Sequence, residues 1–129
     1  MKQTWFAGPA VALALSACER ASNPVACPAI VPPSVRVTVQ DSVTGANLTG
    51  GSILVLRDAA GVADSVAAPI LPGPYPLTSM GVGQGQAGTF TLAVRHAGYR
   101  EWTKGGIEVN RGACGAQTVG VTARLQPVS

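Results

Sequence analysis

Few side chains in this chain of 129 residues have chemical reach: cysteines at 18, 27 and 114, a single histidine, His96, and two tryptophans and two tyrosines. No cysteine or carboxylate neighbours His96 at the spacing of metal ligands, so no zinc or other metal site is expected, and the histidine reads as a solvent-facing turn residue. A Ser-His-Asp set can be drawn on paper from His96, Asp64 and a serine, but the G-x-S-x-G elbow that presents a nucleophile is missing. No catalytic residue and no cofactor is expected. Gly83-Gln84-Gly85-Gln86-Ala87-Gly88 matches G-x-G-x-x-G literally. A dinucleotide site needs a strand before that motif and a helix after it, to aim amides and a helix dipole at pyrophosphate. Here a proline-rich stretch precedes and a strand pattern follows. Asn47-Leu48-Thr49 matches an N-glycosylation acceptor.

The thiols gain meaning from what precedes them. Lys2 is followed by an apolar run from Trp5 to Leu15, shorter than the roughly 20 residues that span a bilayer but suited to the core of an export signal. Leu15-Ser16-Ala17-Cys18 resembles the lipobox of bacterial lipoproteins, an aliphatic residue and two small ones before a cysteine. The resemblance implies that residues 1–17 are cleaved and that Cys18 carries the lipid which holds the protein at a membrane. Two or three acyl chains, at about 0.8 kcal/mol per buried methylene, make such an anchor durable. The alternative is an ordinary cleavage site with Cys18 paired to another thiol. Three cysteines in an exported protein leave one over, and giving Cys18 to lipid leaves Cys27 and Cys114. In an oxidising compartment these are expected to pair, worth about 4–5 kcal/mol in the chain-entropy model, the alternative being two buried free thiols. Glu19, in place of the aspartate that resembling lipoproteins use for inner-membrane retention, favours the outer membrane where one exists.

Composition and patterning describe the domain behind this address. Hydrophobic residues make up 47% and charged ones 12%, the balance of a chain that folds. Sixteen glycines and ten prolines favour short strands joined by turns over helices. Basic residues Arg36, Arg57, Arg95, Arg100, Lys104, Arg111 and Arg124 are scattered singly, without the cluster or stripe of a nucleic-acid binder. Val35, Val37 and Val39 alternate with polar residues, as do Phe90, Leu92 and Val94, and Val119, Val121, Ala123 and Leu125. Residues 53–56 are a continuous apolar run, which predicts a central strand buried on both faces. Asp58 to Gly61 predicts a hairpin into a weak strand at 62–66, with Asp64 marking an edge. Prolines at 69, 72, 74 and 76 and glycines at 81, 83, 85 and 88 predict no regular element over 68–88, a loop long enough to be functional. An extended piece from Tyr99 is expected to break at Gly105-Gly106, resume at Ile107 to Val109 and turn at Asn110 to Gly112. Tyr99 and Trp102, three apart, point to opposite faces of one regular strand. Tyr99 is expected to be buried with its hydroxyl bonded and Trp102 to be open for stacking, or packed beneath nearby basic stems.

These elements predict an all-β fold, a small antiparallel β-sandwich of six or seven strands over 34–127, after a signal at 1–17 and a lipid-anchored linker at 18–33. Val35 to Gly45 with its Asp-x-x-Thr-Gly turn, the run at 53–56, Gly88 to Val94 and Gly98-Tyr99 resemble the carboxypeptidase regulatory-like domain. That family is a transthyretin-like sandwich, usually a non-catalytic accessory domain found beside peptidases, on outer-membrane receptors and in surface proteins. The resemblance implies a lipid-anchored module of the cell envelope that works through protein contacts at its sheet edges or the 68–88 loop. A glycan-binding module using Trp102 and Tyr75 is the second expectation, and a hydrolase the third.

Overall fold

A computed structural model describes residues 26, 27 and 29–128. Residues 1–17, expected to be an export signal, and Cys18, the expected lipid site, lie outside the described residues. Among the described residues nine strands follow in order: β1 (Val35–Asp41), β2 (Ile53–Asp58), β3 (Gly61–Ala67), β4 (Met80–Val82), β5 (Gly88–Arg95), β6 (Trp102–Val109), β7 (Arg111–Gly112), β8 (Gly115–Ala116) and β9 (Val119–Leu125). Seven of them form two sheets, β4-β1-β9 and β3-β2-β5-β6, and β7 and β8 make a separate two-stranded ribbon. The chain is a small all-β sandwich. Its pairs are antiparallel except β1 with β9, which run parallel in register from Val35 beside Val119 to Asp41 beside Leu125.

Alternation decides what each sheet buries. From the three-stranded sheet Val35, Val37, Val39, Val82, Val121, Ala123 and Leu125 meet Leu54, Leu56, Phe90, Leu92, Val94, Ile107 and Val109 of the other. Each fully buried Val, Leu or Phe contributes about 1.5–3 kcal/mol. β2 is central, as expected, but only one face is covered: Leu54 and Leu56 are fully buried while Ile53 is 44% exposed. The sandwich has two layers, so the outer face of each sheet meets solvent and the apolar run is only half used.

Three further expectations are corrected. The 68–88 segment contains β4, whose three residues pair with Val35 to Val37; a strand so short and glycine-bearing has no periodicity to read. β6 does not break at Gly105-Gly106. Phe90 faces Ile107 and Leu92 faces Lys104, leaving both glycines opposite Thr91 in a β-bulge with Gly106 at φ 66°. The extra residue moves the inward face from even positions to odd ones, which is how Trp102, Ile107 and Val109 all reach the core. Asn110 to Gly112 is not a turn but leads into β7, and the turn lies between β7 and β8, at Ala113 and Cys114.

Each long side of the sandwich is stitched. At one, Asp64 of edge strand β3 points inward opposite Leu56 and accepts the Gly83 amide at 2.8 Å, joining β3 to the chain leaving β4. At the other, Arg100 N–H donates to the Gln126 carbonyl at 2.9 Å and Val128 N–H to that of Gly98 at 3.0 Å, joining the approach to β6 with the exit from β9.

Candidate functional site

The two ends of the sandwich differ. Cys27 is bonded to Cys114 with Cα atoms 5.2 Å apart and a sequence separation of 87, so the chain entering β1 is stapled to the β7–β8 turn. The expected pair thus joins the start of the domain to this ribbon, which precedes β9. Residues assigned to the linker also dock at this end, where the Thr118 hydroxyl donates to the Pro33 carbonyl at 2.7 Å. Val31, Pro33, Arg36, Gly81, Gly83 and Gln84 line an open depression of about 400 Å³ here. Gly83 needs to be glycine: its φ is 90°, and a Cβ there would come within 2.6 Å of Ser34 Cβ. The G-x-G-x-x-G match is therefore a close-packed connection from β4 to β5, held by Ser34 Oγ on the Gln86 carbonyl at 2.8 Å and by the Gln84 amide on Gln86 Oε1 at 2.6 Å.

At the opposite end lie the close of β1, the start of β2, the close of β3, the start of β4, the start of β6 and the close of β9. Asp41 organises it. One carboxylate oxygen accepts the Val43 and Thr44 amides at 2.7 and 3.0 Å, the local bonding that makes Asp a turn former. The other accepts the Tyr99 hydroxyl at 2.6 Å. The Tyr99 hydrogen bond, then the Thr44 and Val43 amides, hold the Asp41 carboxyl below the usual carboxylate range. The same bond, with burial and the negative charge of Asp41, pushes the Tyr99 phenol up. Tyr99 thus has the bonded hydroxyl expected of it. The expectation that only one of Tyr99 and Trp102 reaches the core does not hold: both pack partly against it, because Tyr99 sits in the turn before β6, bridged to Pro127, and is not on that strand.

His96 is half-buried and not a plain solvent-facing residue. Its Nδ1 lies 3.0 Å from the Ala97 carbonyl and its ring stands edge-on to Tyr99 at 5.5 Å between centroids. Asn47, the glycosylation match, spends both ends of its amide on the fold, donating to the Leu77 carbonyl at 2.8 Å and accepting the Thr49 amide at 3.0 Å. Among the described residues no three His, Cys, Asp or Glu side chains are grouped to hold a metal.

Two surfaces stand out at this end. The connection from β3 to β4 belongs to a stretch, Ser65 to Val94, without a charged residue. It leaves Ile70 79%, Leu71 43% and Tyr75 84% exposed. Its course is fixed at both ends, by Ala68 N–H on the Ser52 carbonyl at 2.8 Å and by Asn47 on Leu77. The second surface is a depression of about 270 Å³ where β6 meets β9, lined by Arg100, Glu101, Trp102, Arg124 and Gln126. The structure does not bring the two aromatic candidates into one site: Trp102 lines this depression, and Tyr75 stands on the β3–β4 connection and lines neither depression. Arg100 and Arg124 are the residues sequence reasoning missed. Their only signal was the nearness of Arg100 to Trp102, because Arg124 arrives through pairing of the chain around residue 100 with that around 126. No family model matches the chain, and no curated protein matches it.

Proposed function

We propose that the protein is a non-enzymatic, lipid-anchored module of the cell envelope that binds a protein partner through the end of its sandwich opposite Cys27. On this reading residues 1–17 are the export signal, Cys18 carries the lipid, and the address is the outer membrane in a cell that has one. The Cys27–Cys114 bond supports export, since disulfides persist in oxidising compartments. A carboxypeptidase regulatory-like domain is the family reading, supported by Asp41 and Tyr99: they come from two separate phrases of that resemblance and meet in one hydrogen bond.

The observation that carries the reading is the apolar side chains of Ile70, Leu71 and Tyr75, exposed on an uncharged connection anchored at both ends. Solvent-exposed apolar residues grouped in this way mark contact surfaces. The test is crosslinking in intact envelopes of the wild type and of an Ile70→Ser/Leu71→Ser variant. One defined protein crosslinked to the wild type and lost in the variant, at unchanged melting temperature, is the expected result. Crosslinks that persist in the variant would overturn this assignment. A second reading, glycan binding, is favoured by one observation: Trp102 forms a wall of a depression also lined by Gln126 and two arginines.

A further inference from the structure

The depression at the β6–β9 seam combines an aromatic wall with an excess of positive charge, two arginines to one glutamate. Trp102 pairs with Val94, whose side chain is inward and fully buried, so its indole packs partly on the core and partly lines the opening. The acid in the same wall, Glu101, lies 3.7 Å from Arg95. Among the described residues that is the ion pair present, and neither Arg100 nor Arg124 has a carboxylate at ion-pair distance. The backbone bond from Arg100 to Gln126 fixes these residues across the seam, and Arg124 and Gln126 share the outward face of the chain leaving β9. Two exposed arginines thus line one small opening, where a single anion can be shared between them.

We propose that this depression binds a carboxylated sugar residue of an envelope glycan. The indole of Trp102 stacks on the apolar C–H face of the pyranose, the guanidinium groups of Arg100 and Arg124 take the carboxylate, and the Gln126 amide takes a ring hydroxyl. A uronate presents a flat apolar face and a carboxylate within one residue; an aspartate or glutamate side chain of a peptide has no such face. At about 270 Å³ the opening suits one sugar of a longer chain. The proposal rests on the glycan reading and adds to it the ligand's charge and the residues that read it.

The test is calorimetric titration of the purified full-length protein in detergent with tetramers of galacturonate and of glucuronate, and with their methyl esters, which keep the shape and lose the charge. Binding of at least one acidic tetramer is expected, weakened by its methyl ester and by added salt. Arg100→Gln and Arg124→Gln, both at exposed residues, are each expected to weaken it by up to about fivefold at unchanged melting temperature. Trp102→Phe, which keeps an apolar group against the core, is expected to weaken acidic and esterified forms alike. Equal binding of acid and ester would overturn the carboxylate and leave the glycan reading standing. Binding of neither form, or binding of a glutamate-rich peptide as tight as that of the tetramers, would overturn both.

Discussion

Asp41 and Tyr99 show how one hydrogen bond makes stability depend on pH in two windows. The Asp41 carboxyl is lowered in the folded state, first by Tyr99 and then by the Thr44 and Val43 amides. Its contribution is therefore present above the unfolded value of about 3.9 and is lost as pH falls through the lower folded value. The Tyr99 phenol is raised, so its contribution is present below the unfolded value of about 10 and is lost as pH rises through the higher folded value. Tyr99→Phe should lower the melting temperature at neutral pH. It should also remove the Tyr99 contribution to the alkaline limb of the profile and flatten the acid limb in part, since the two backbone amides still hold Asp41. An acid limb left unchanged in the variant would show that the amides alone carry the Asp41 shift. At Gly83 the constraint is steric. A φ of 90° and a Cβ position 2.6 Å from Ser34 Cβ make Gly83→Ala costly by roughly 2 kcal/mol or more, measurable by chemical denaturation.

At the scale of elements, what the sequence made legible was whatever one strand decides alone. Val35, Val37 and Val39, and Phe90, Leu92 and Val94, alternate because each lies on a sheet with one covered face, and the structure buries all six. Asp64 marked an edge strand, and β3 is one. Features that need a partner were not legible. β4 exists because β1 offers it a free edge, and the face change in β6 exists because Gly105 and Gly106 bulge against Thr91. The depression between β6 and β9 was half legible for the same reason: Trp102 is conspicuous in the sequence, while Arg124 joins it only when β9 is laid beside β6. Two devices hold these elements, and each can be removed. Asp64→Ala strands the Gly83 amide that Asp64 accepts at 2.8 Å, an expected loss of about 1–3 kcal/mol in equilibrium unfolding. The Cys27→Ser/Cys114→Ser variant frees the β7–β8 ribbon from the incoming chain, at an expected cost of about 2–5 kcal/mol. Reductant should reproduce that loss in the wild type and leave the variant unaffected.

At the scale of the molecule, the disulfide gives the sandwich a direction. Cys27 is stapled to the ribbon at the end where β1 and β9 begin, and the surfaces around Tyr75 and Trp102 are at the end where those strands close. Seven residues of β1 separate the ends by about 20 Å. A lipid on Cys18 would connect to Cys27 through the eight residues 19–26, which can reach at most about 30 Å. On so short a tether the stapled end is expected to lie nearer the bilayer on average, with the two candidate surfaces turned away from it. This can be measured with a fluorescent non-natural amino acid placed at Ala113 or at Tyr75 of the lipidated protein in vesicles, using a quencher carried on the lipid. Quenching should be strong at position 113 and weak at position 75. Quenching in the reverse order would place the uncharged Ile70–Tyr75 surface against the membrane and make a bilayer, not an envelope partner, its counterpart.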